Sequence, residues 1–320
     1  MAFYDIFNGD ADGLCALQQL RLFEPRPATL VTGVKRDVEL IRRVSPDSVD
    51  RLTVLDISLD ANRAELQRVL ASGASCMWID HHHAGTTPVT HTALQAIIDT
   101  SPDTCTSLIV NRLLKGRHAA WAVVGAFGDN QATSARHAAA ALHLDDDSIT
   151  KLRRLGQRLN YNAYGDSVDE LHFHPVELFR RMSAHADPIR FMTEDDAFRR
   201  LDLGYVGDME AALAIAPMRS GKEVCVVQLP DTAWARRASG ELANHLVRTR
   251  NNQAISVLTP IEGGYRVSVR APASSPTGAD RLCLKFDTGG GRPAAAGINL
   301  LQESEMDRFL EAFQTAFTPS

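Results

Sequence analysis

Phe3-Tyr4-Asp5-Ile6-Phe7, then Asn8-Gly9-Asp10-Ala11-Asp12-Gly13, then the run Leu14 to Phe23: these residues decide the fold. Four of the first five are apolar or aromatic, in a length typical of a buried strand, and the last ten place apolar residues at helical spacing. Between them lies a polar turn with two aspartates and two glycines, where a strand hands over to a helix. The same unit recurs downstream. Ala28 to Val34 reads as a second strand, with a short helix near Asp37 to Val44. Leu52 to Ile57 reads as a third strand and Ala61 to Ser72 as its helix. Ser75 to Ile79 reads as a fourth strand that runs into Asp80-His81-His82-His83. Alternating strands and helices predict a parallel sheet with helices on both faces.

Helical patterns dominate from Thr104 to about Met192. Ala119 to Phe127 is almost wholly apolar, which predicts a buried helix delivering Gly128-Asp129-Asn130 at its end. Thr104, Thr106 and Ser107 follow Asp103 in a normal helix-start setting, and such a start also favours an anion such as phosphate. The charged stretch Glu194 to Asp202 marks a domain boundary, giving a catalytic domain over 1–195 and a smaller α/β domain over 205–320. In the second, helices are expected at Val206–Ile215, Trp234–Arg250 and Glu303–Phe317. Strands are expected at Glu223–Leu229, Ala254–Pro260, Tyr265–Ala271 and Leu282–Phe286, with a loop at Gly289-Gly290-Gly291.

Acidic or imidazole groups end three of the predicted strands: Asp10 and Asp12 the first, Asp56 the third, Asp80-His81-His82 the fourth. In an open α/β sheet, ligands bind beyond the carboxyl ends of the strands. Asp129, at the end of a buried helix, can join them. Each feature alone has an ordinary reading. Asp-Ala-Asp-Gly can be a turn, Asp56 a cap, the histidines a solvated tract and Asp129 a helix end. Those separate readings leave the common position at strand ends unexplained. Four bare carboxylates close together would repel strongly, and two divalent cations would offset their charge. Oxygen ligands with one imidazole suit manganese, and magnesium or zinc less specifically. A pair of such ions lowers the pKa of water and clamps a displacement at phosphorus.

Composition narrows the substrate. The net charge is −5, whereas a protein gripping long nucleic acid usually carries a basic excess. Aromatic residues are 6% of the chain, too few to suggest a stacking track for single strands. The five cysteines (15, 76, 105, 225 and 283) are scattered and odd in number, which fits a reducing compartment. No apolar run is long enough to span a bilayer, so a cytoplasmic location and no membrane partner are expected.

Together these residues resemble the DHH phosphoesterase superfamily and its associated DHHA1 domain, which includes RecJ-type exonucleases, nanoRNases and linear or cyclic dinucleotide phosphodiesterases. Asn8 to Gly13 resembles its first motif, Val54-Leu55-Asp56 the second, Ile79-Asp80-His81-His82 the third and Gly125 to Asp129 the fourth. Gly289-Gly290-Gly291-Arg292-Pro293-Ala294-Ala295-Ala296-Gly297 resembles the glycine-rich DHHA1 signature. The resemblance implies that Asp10 and Asp56 hold one metal, and that Asp12, Asp56, His81 and Asp129 hold the other, with Asp56 bridging. His82 would meet the scissile phosphate or help the leaving oxygen, and Asp80 would orient the histidines. Arg270, Gly289, Gly290, Gly291 and Arg292 would bind the rest of the substrate. The chain departs from the pattern at Asn8, where RecJ-type members tend to carry a carboxylate; its amide oxygen is a further candidate ligand. Arg292 stands where the signature commonly has histidine.

The expected protein is a two-domain hydrolase that cleaves short linear oligonucleotides or dinucleotides to mononucleotides with a two-metal-activated hydroxide. Long duplex nucleic acid is not expected as a partner, and a homodimer is open. The rivals are a RecJ-like single-strand exonuclease, a phosphatase for a nucleotide 3′-phosphate or polyphosphate, and a non-catalytic nucleotide sensor. His83 is expected to be exposed, and His172 and His174 to be satisfied or exposed rather than a further metal site.

Overall fold

A computed structural model describes residues 1–318. The chain forms two compact units, Met1–Leu203 and Gly204–Ser320.

The first unit begins with strand β1 (Phe3–Phe7), helix α1 (Ala11–Phe23), β2 (Thr29–Val31), β3 (Arg51–Leu55), α2 (Arg63–Ala71), β4 (Ser75–Asp80) and β5 (Leu94–Ile98). Helices follow: α3 (Thr106–Leu113), α4 (Ala119–Gly128), α5 (Ala132–Ala140), α6 (Asp146–Asn162), α7 (Pro175–Ser183), α8 (Pro188–Glu194) and α9 (Asp196–Leu213). The five strands form one parallel sheet in the order β2-β1-β3-β4-β5. From β1 the chain goes one way to β2, then crosses back to β3 on the other side. The topological switch point therefore lies between the ends of β1 and β3, where open α/β sheets bind ligands.

Strand alternation splits the core in two. Phe7, Leu55 and Ile79 pack with Leu14, Leu17 and Trp121 on one face, while Ile6, Val54 and Trp78 pack with Leu40, Leu66 and Val69 on the other. Burying each such side chain is worth roughly 1.5–3 kcal/mol. In the middle of β1, Asp5 is buried against Arg21 of α1 at 2.7 Å, which pins the helix to the strand.

The second unit holds β6 (Arg219–Ser220), β7 (Val224–Gln228), α10 (Ala233–Thr249), β8 (Ala254–Ile261), β9 (Gly264–Arg270), α11 (Ala279–Cys283), β10 (Gly289–Arg292), β11 (Ala295–Gln302) and α12 (Met306–Phe317). Its sheet runs β10-β11-β9-β8-β7-β6, and among the described residues only β7 and β8 pair in parallel. Leu242 and Val257 belong to the core on one face, Leu258 and Phe309 to the core on the other.

The α/β class and the parallel first sheet are as the sequence predicts, and five details differ. Leu282–Phe286 is the end of α11 and a turn, not a strand. Leu282, Leu284 and Phe286 alternate as in a strand, but the buried set is Leu282, Cys283 and Phe286, one helical face, with Leu284 exposed. Gly289 to Gly291 is strand β10 rather than a loop, and its partner β11 and the edge strand β5 gave no clear pattern. A Cβ on Gly289 would lie 1.8 Å from the Cys283 carbonyl oxygen, so glycine permits this close passage. The helix expected near Asp37 to Val44 is a single 3₁₀ turn at Leu40–Arg43. The charged stretch Glu194 to Asp202, expected at the domain boundary, is mostly the start of α9 and lies just before the division of the units at Leu203. No helix among the described residues is long and apolar enough to cross a membrane.

Candidate metal centre

The turn after β1 is assembled around Asp10. Its Oδ1 accepts from the amides of Asp12 and Gly13 at 3.0 and 3.1 Å, which caps the N-terminus of α1. Gly13 is required because a Cβ there would lie 2.2 Å from the Asn8 carbonyl oxygen. Asp12, in the first turn of α1, faces the start of α3. The amides of Thr106 and Ser107 donate to its two carboxylate oxygens, each at 2.7 Å. The start of α3 thus binds a carboxylate of the chain itself, rather than standing open for phosphate as its sequence allowed.

Asp56 leaves β3 with φ at +60°, a left-handed conformation that a non-glycine residue adopts at a cost of about 1–3 kcal/mol. Its amide donates to the Ile79 carbonyl at 3.1 Å, and Oδ1 accepts from the Thr106 hydroxyl at 3.0 Å. The sharp turn holds the carboxylate at the switch point. Asp80 ends β4 and is fully buried. Its Oδ1 accepts from the His81 amide at 2.8 Å and meets His82 Nδ1 at 2.7 Å, while Oδ2 has no partner. Asp129 follows α4 directly. A Cβ on Gly128 would come within 2.3 Å of the Ala11 side chain, so glycine lets the end of α4 close on α1 and bring Asp129 beside Asp12.

These elements bring the predicted side chains together. His81 Nε2 lies 3.5 Å from Asp56 Oδ1 and 3.9 Å from Asp129 Oδ2. Two sets of side chains offer ligand atoms within 4.8 Å of one another: Asp12, His81 and Asp129, and Asp56, His81 and His82. Burial, then the charges of Asp12, Asp10, Asp80 and Asp129, push the Asp56 carboxyl well above the usual range. Burial likewise raises Asp129 to about 6, with Lys35 and His81 opposing the repulsion of Asp12 and Asp10. Even with Lys35 beside Asp10, so crowded a buried acidic cluster is short of positive charge, and its oxygen and imidazole donors are those a divalent cation takes. The residues present therefore fit a metal ion. For His82, burial lowers the pKa, but the hydrogen bond and charge of Asp80 outweigh it and the net shift is upward.

The remaining candidates fall elsewhere. Asn8 is buried, with Oδ1 accepting from the Asp10 amide at 3.2 Å and Nδ2 donating to the Lys35 carbonyl at 3.2 Å. Arg270 lies on β9 in the second unit, with Nε donating to Asn244 Oδ1 at 2.8 Å. Gly289, Gly290, Gly291 and Arg292 form β10, with Arg292 exposed. His83 is exposed, His172 meets the Tyr161 hydroxyl at 2.8 Å, and His174 caps α7. Two residues escaped the sequence. Lys35 donates its ammonium to Asp10 Oδ2 and, at 3.0 Å, to Asn160 Oδ1. Neither stands in a motif or at the end of a predicted strand.

Residues 221–318 match the family model of the DHHA1 domain. No curated protein matches the chain. A manganese-bound RecJ exonuclease structure aligns with 98% of this chain and 89% of its own, at 16% identity and TM-score 0.60. PggH of Vibrio cholerae, described as a pGpG-specific phosphodiesterase, aligns with 98% of each chain at 14% identity and TM-score 0.54. An exopolyphosphatase-related protein of Bacteroides fragilis aligns over 98% of this chain and 91% of its own, at 14% identity and TM-score 0.54.

Proposed function

We propose, from the premise that the chain has a DHHA1 domain on the fold of the DHH/DHHA1 superfamily, that it is a metal-dependent phosphodiesterase of short linear oligonucleotides or dinucleotides. The observation that carries the reading is the convergence of Asp12, Asp56, His81, His82 and Asp129 at the switch point of the sheet. Asp12, Asp56, His81 and Asp129 would hold the metal, and their oxygen-rich set favours manganese, with magnesium as the common substitute. A divalent ion bound there lowers the pKa of water and neutralises charge developing on a phosphoryl group.

The chain's own groups do the rest. Asp80 fixes the His82 ring through Nδ1, leaving Nε2 for a phosphate oxygen or the leaving oxygen. The raised pKa of His82 keeps its positive charge to higher pH, which favours an anionic substrate. Thr106 and Ser107 hold the Asp56 and Asp12 carboxylates in place. In the second unit, Arg270 and Gly289 to Arg292 are the candidates for holding the rest of the substrate, with the Arg292 guanidinium suited to phosphate. The dinucleotide preference draws support from the acidic net charge and from the described activity of PggH.

The test is manganese-supplemented incubation with linear and cyclic dinucleotides and with RNAs of increasing length, the products resolved by chromatography. Mononucleotides from the shortest linear substrates are expected. Equal or faster cleavage of the long RNAs would point to a RecJ-like exonuclease. Orthophosphate release would point to a phosphatase, a reading to which the exopolyphosphatase-related neighbour gives some weight. Binding without turnover would point to a sensor.

A further inference from the structure

Lys35 is built into the candidate site by its backbone as well as its side chain. Its amide donates to the Ala163 carbonyl at 2.9 Å, and its own carbonyl accepts from the Asn8 side chain at 3.2 Å. Its ammonium donates to Asp10 Oδ2 and to the buried Asn160 Oδ1, and lies 5.7 Å from the centroid of the Tyr164 ring. A surface lysine loses about 2 kcal/mol of rotamer entropy on being fixed. Here both backbone groups fix its position first, and Asp10 and Asn160 accept from the ammonium.

The groups that a first metal would need are engaged on the same side. Asp10 Oδ1 is taken by two amides of α1 and Oδ2 by Lys35. The Asn8 amide oxygen is taken by the Asp10 amide. The sets of three side chains whose ligand atoms converge draw on Asp12, Asp56, His81, His82 and Asp129, and Asp10 adjoins them at the Asp56 carboxylate. The Lys35 ammonium is thus an ion-pair partner of Asp10, supplied by the chain on the side where the resemblance would put the first metal.

We propose that the Lys35 ammonium takes the place of one of two divalent ions, so that this site binds a single metal ion beside a fixed positive charge. The inference rests on the metal-centre reading above and changes its ion count. Asn8 then has a reason: a carboxylate there could not donate to the Lys35 carbonyl. Two of the three ammonium N–H groups are used by Asp10 and Asn160, and the third is available to a phosphoryl oxygen of the substrate. Unlike a second metal, this charge cannot be removed by a chelator.

Equilibrium dialysis against manganese chloride, with ion content by atomic emission and electron paramagnetic resonance, tests the count without reference to turnover. Wild type is expected to hold one Mn²⁺ per chain and to show the spectrum of an isolated ion. Two ions per chain with a spin-coupled spectrum would overturn the role of Lys35 and leave the metal-dependent reading standing. Retention of none would overturn both. Lys35→Met keeps the length and removes the charge; it is expected to admit a second Mn²⁺, whereas Lys35→Arg stays at one. A Lys35→Met protein that folds and still holds one ion would show that the lysine does not exclude the second. If that variant fails to fold, the wild-type count still decides.

Discussion

Asp10 and Asp56 follow neighbouring strands and are buried to the same degree, yet their surroundings drive them in opposite directions. Burial alone would raise both. At Asp10, Lys35, the Gly13 amide and a hydrogen bond with Asp56 itself outweigh burial, and the pKa is lowered. At Asp56, four other aspartates add to burial, and the pKa rises well above the ordinary range. One side of the site is thus already neutralised by the chain, and the other is left in need of a cation. Substituting the two residues separately should therefore give unlike results.

The largest difference is expected in turnover. Asp56→Asn and His81→Ala should each lower kcat/KM about a thousandfold or more, equivalent to ~4 kcal/mol of transition-state stabilisation, because each removes a proposed metal ligand. Asparagine tolerates the left-handed backbone at Asp56, so the variant removes charge without adding strain. Retained manganese-dependent activity in Asp56→Asn would remove Asp56 from the metal centre. Steady-state assays with a dinucleotide substrate make the measurement.

Stability should separate the two sides next. Asparagine is as good an N-cap as aspartate, so Asp10→Asn keeps the cap on α1 and breaks the charge pair with Lys35. Breaking a buried pair costs about 3–5 kcal/mol, and roughly 2 kcal/mol is a fair discount with the Lys35 side chain a quarter exposed. For a domain of this size that lowers Tm by about 4–8 °C. Asp56→Asn in metal-free protein should instead raise Tm, since it relieves repulsion. Calorimetry of both variants in chelator checks the contrast, and a fall in Tm for both would break it.

These contrasts could be foreseen only in part from the chain. Asp10, Asp12, Asp56 and Asp80 were legible because strand–helix alternation fixes which residues end strands, and a parallel sheet brings those ends together. Asp129 was legible through the apolar run of α4 that precedes it. Lys35 was not, because its partner Asn160 is 125 positions away and lies near the end of α6. The contact depends on how a helix packs, and no local spacing encodes that. Thr106 and Ser107 were legible as a helix start, but the ligand of that start is a carboxylate supplied by α1. In the second unit, β10 was missed because three glycines read as a loop when the close passage by the Cys283 carbonyl is not known.

The pH dependence of metal-free stability sharpens the comparison further. An unfolded aspartate titrates near 3.9, whereas Asp129 in the folded chain titrates at about 6. Between those values the folded state holds the extra proton, so unfolding free energy falls as pH rises. The stabilisation is complete below about 4 and lost above about 6; Asp56 and His82, both raised, act in the same direction. Asp10, lowered, acts only at more acidic pH. In chelator, Tm is expected to drop from pH 5 to pH 7, and saturating manganese should reverse that drop, because the ion binds the ionised carboxylates. An unchanged Tm across this range would mean that the acidic side of the site is not short of positive charge.

The smallest expected effect concerns the second unit. Arg292 is exposed on the edge strand β10 and is proposed to bind substrate rather than to act on it. Arg292→Ala should raise KM several-fold, about 1 kcal/mol, with kcat nearly unchanged. Arg292→Lys keeps the charge but loses the two-pronged geometry, and should fall between wild type and alanine. The ratio matters more than the size. An interaction present equally in ground and transition states moves KM alone, so a fall in kcat at constant KM would place Arg292 with the groups that act on the phosphate. The charge contrast between Asp10 and Asp56 would then describe only part of the catalytic machinery.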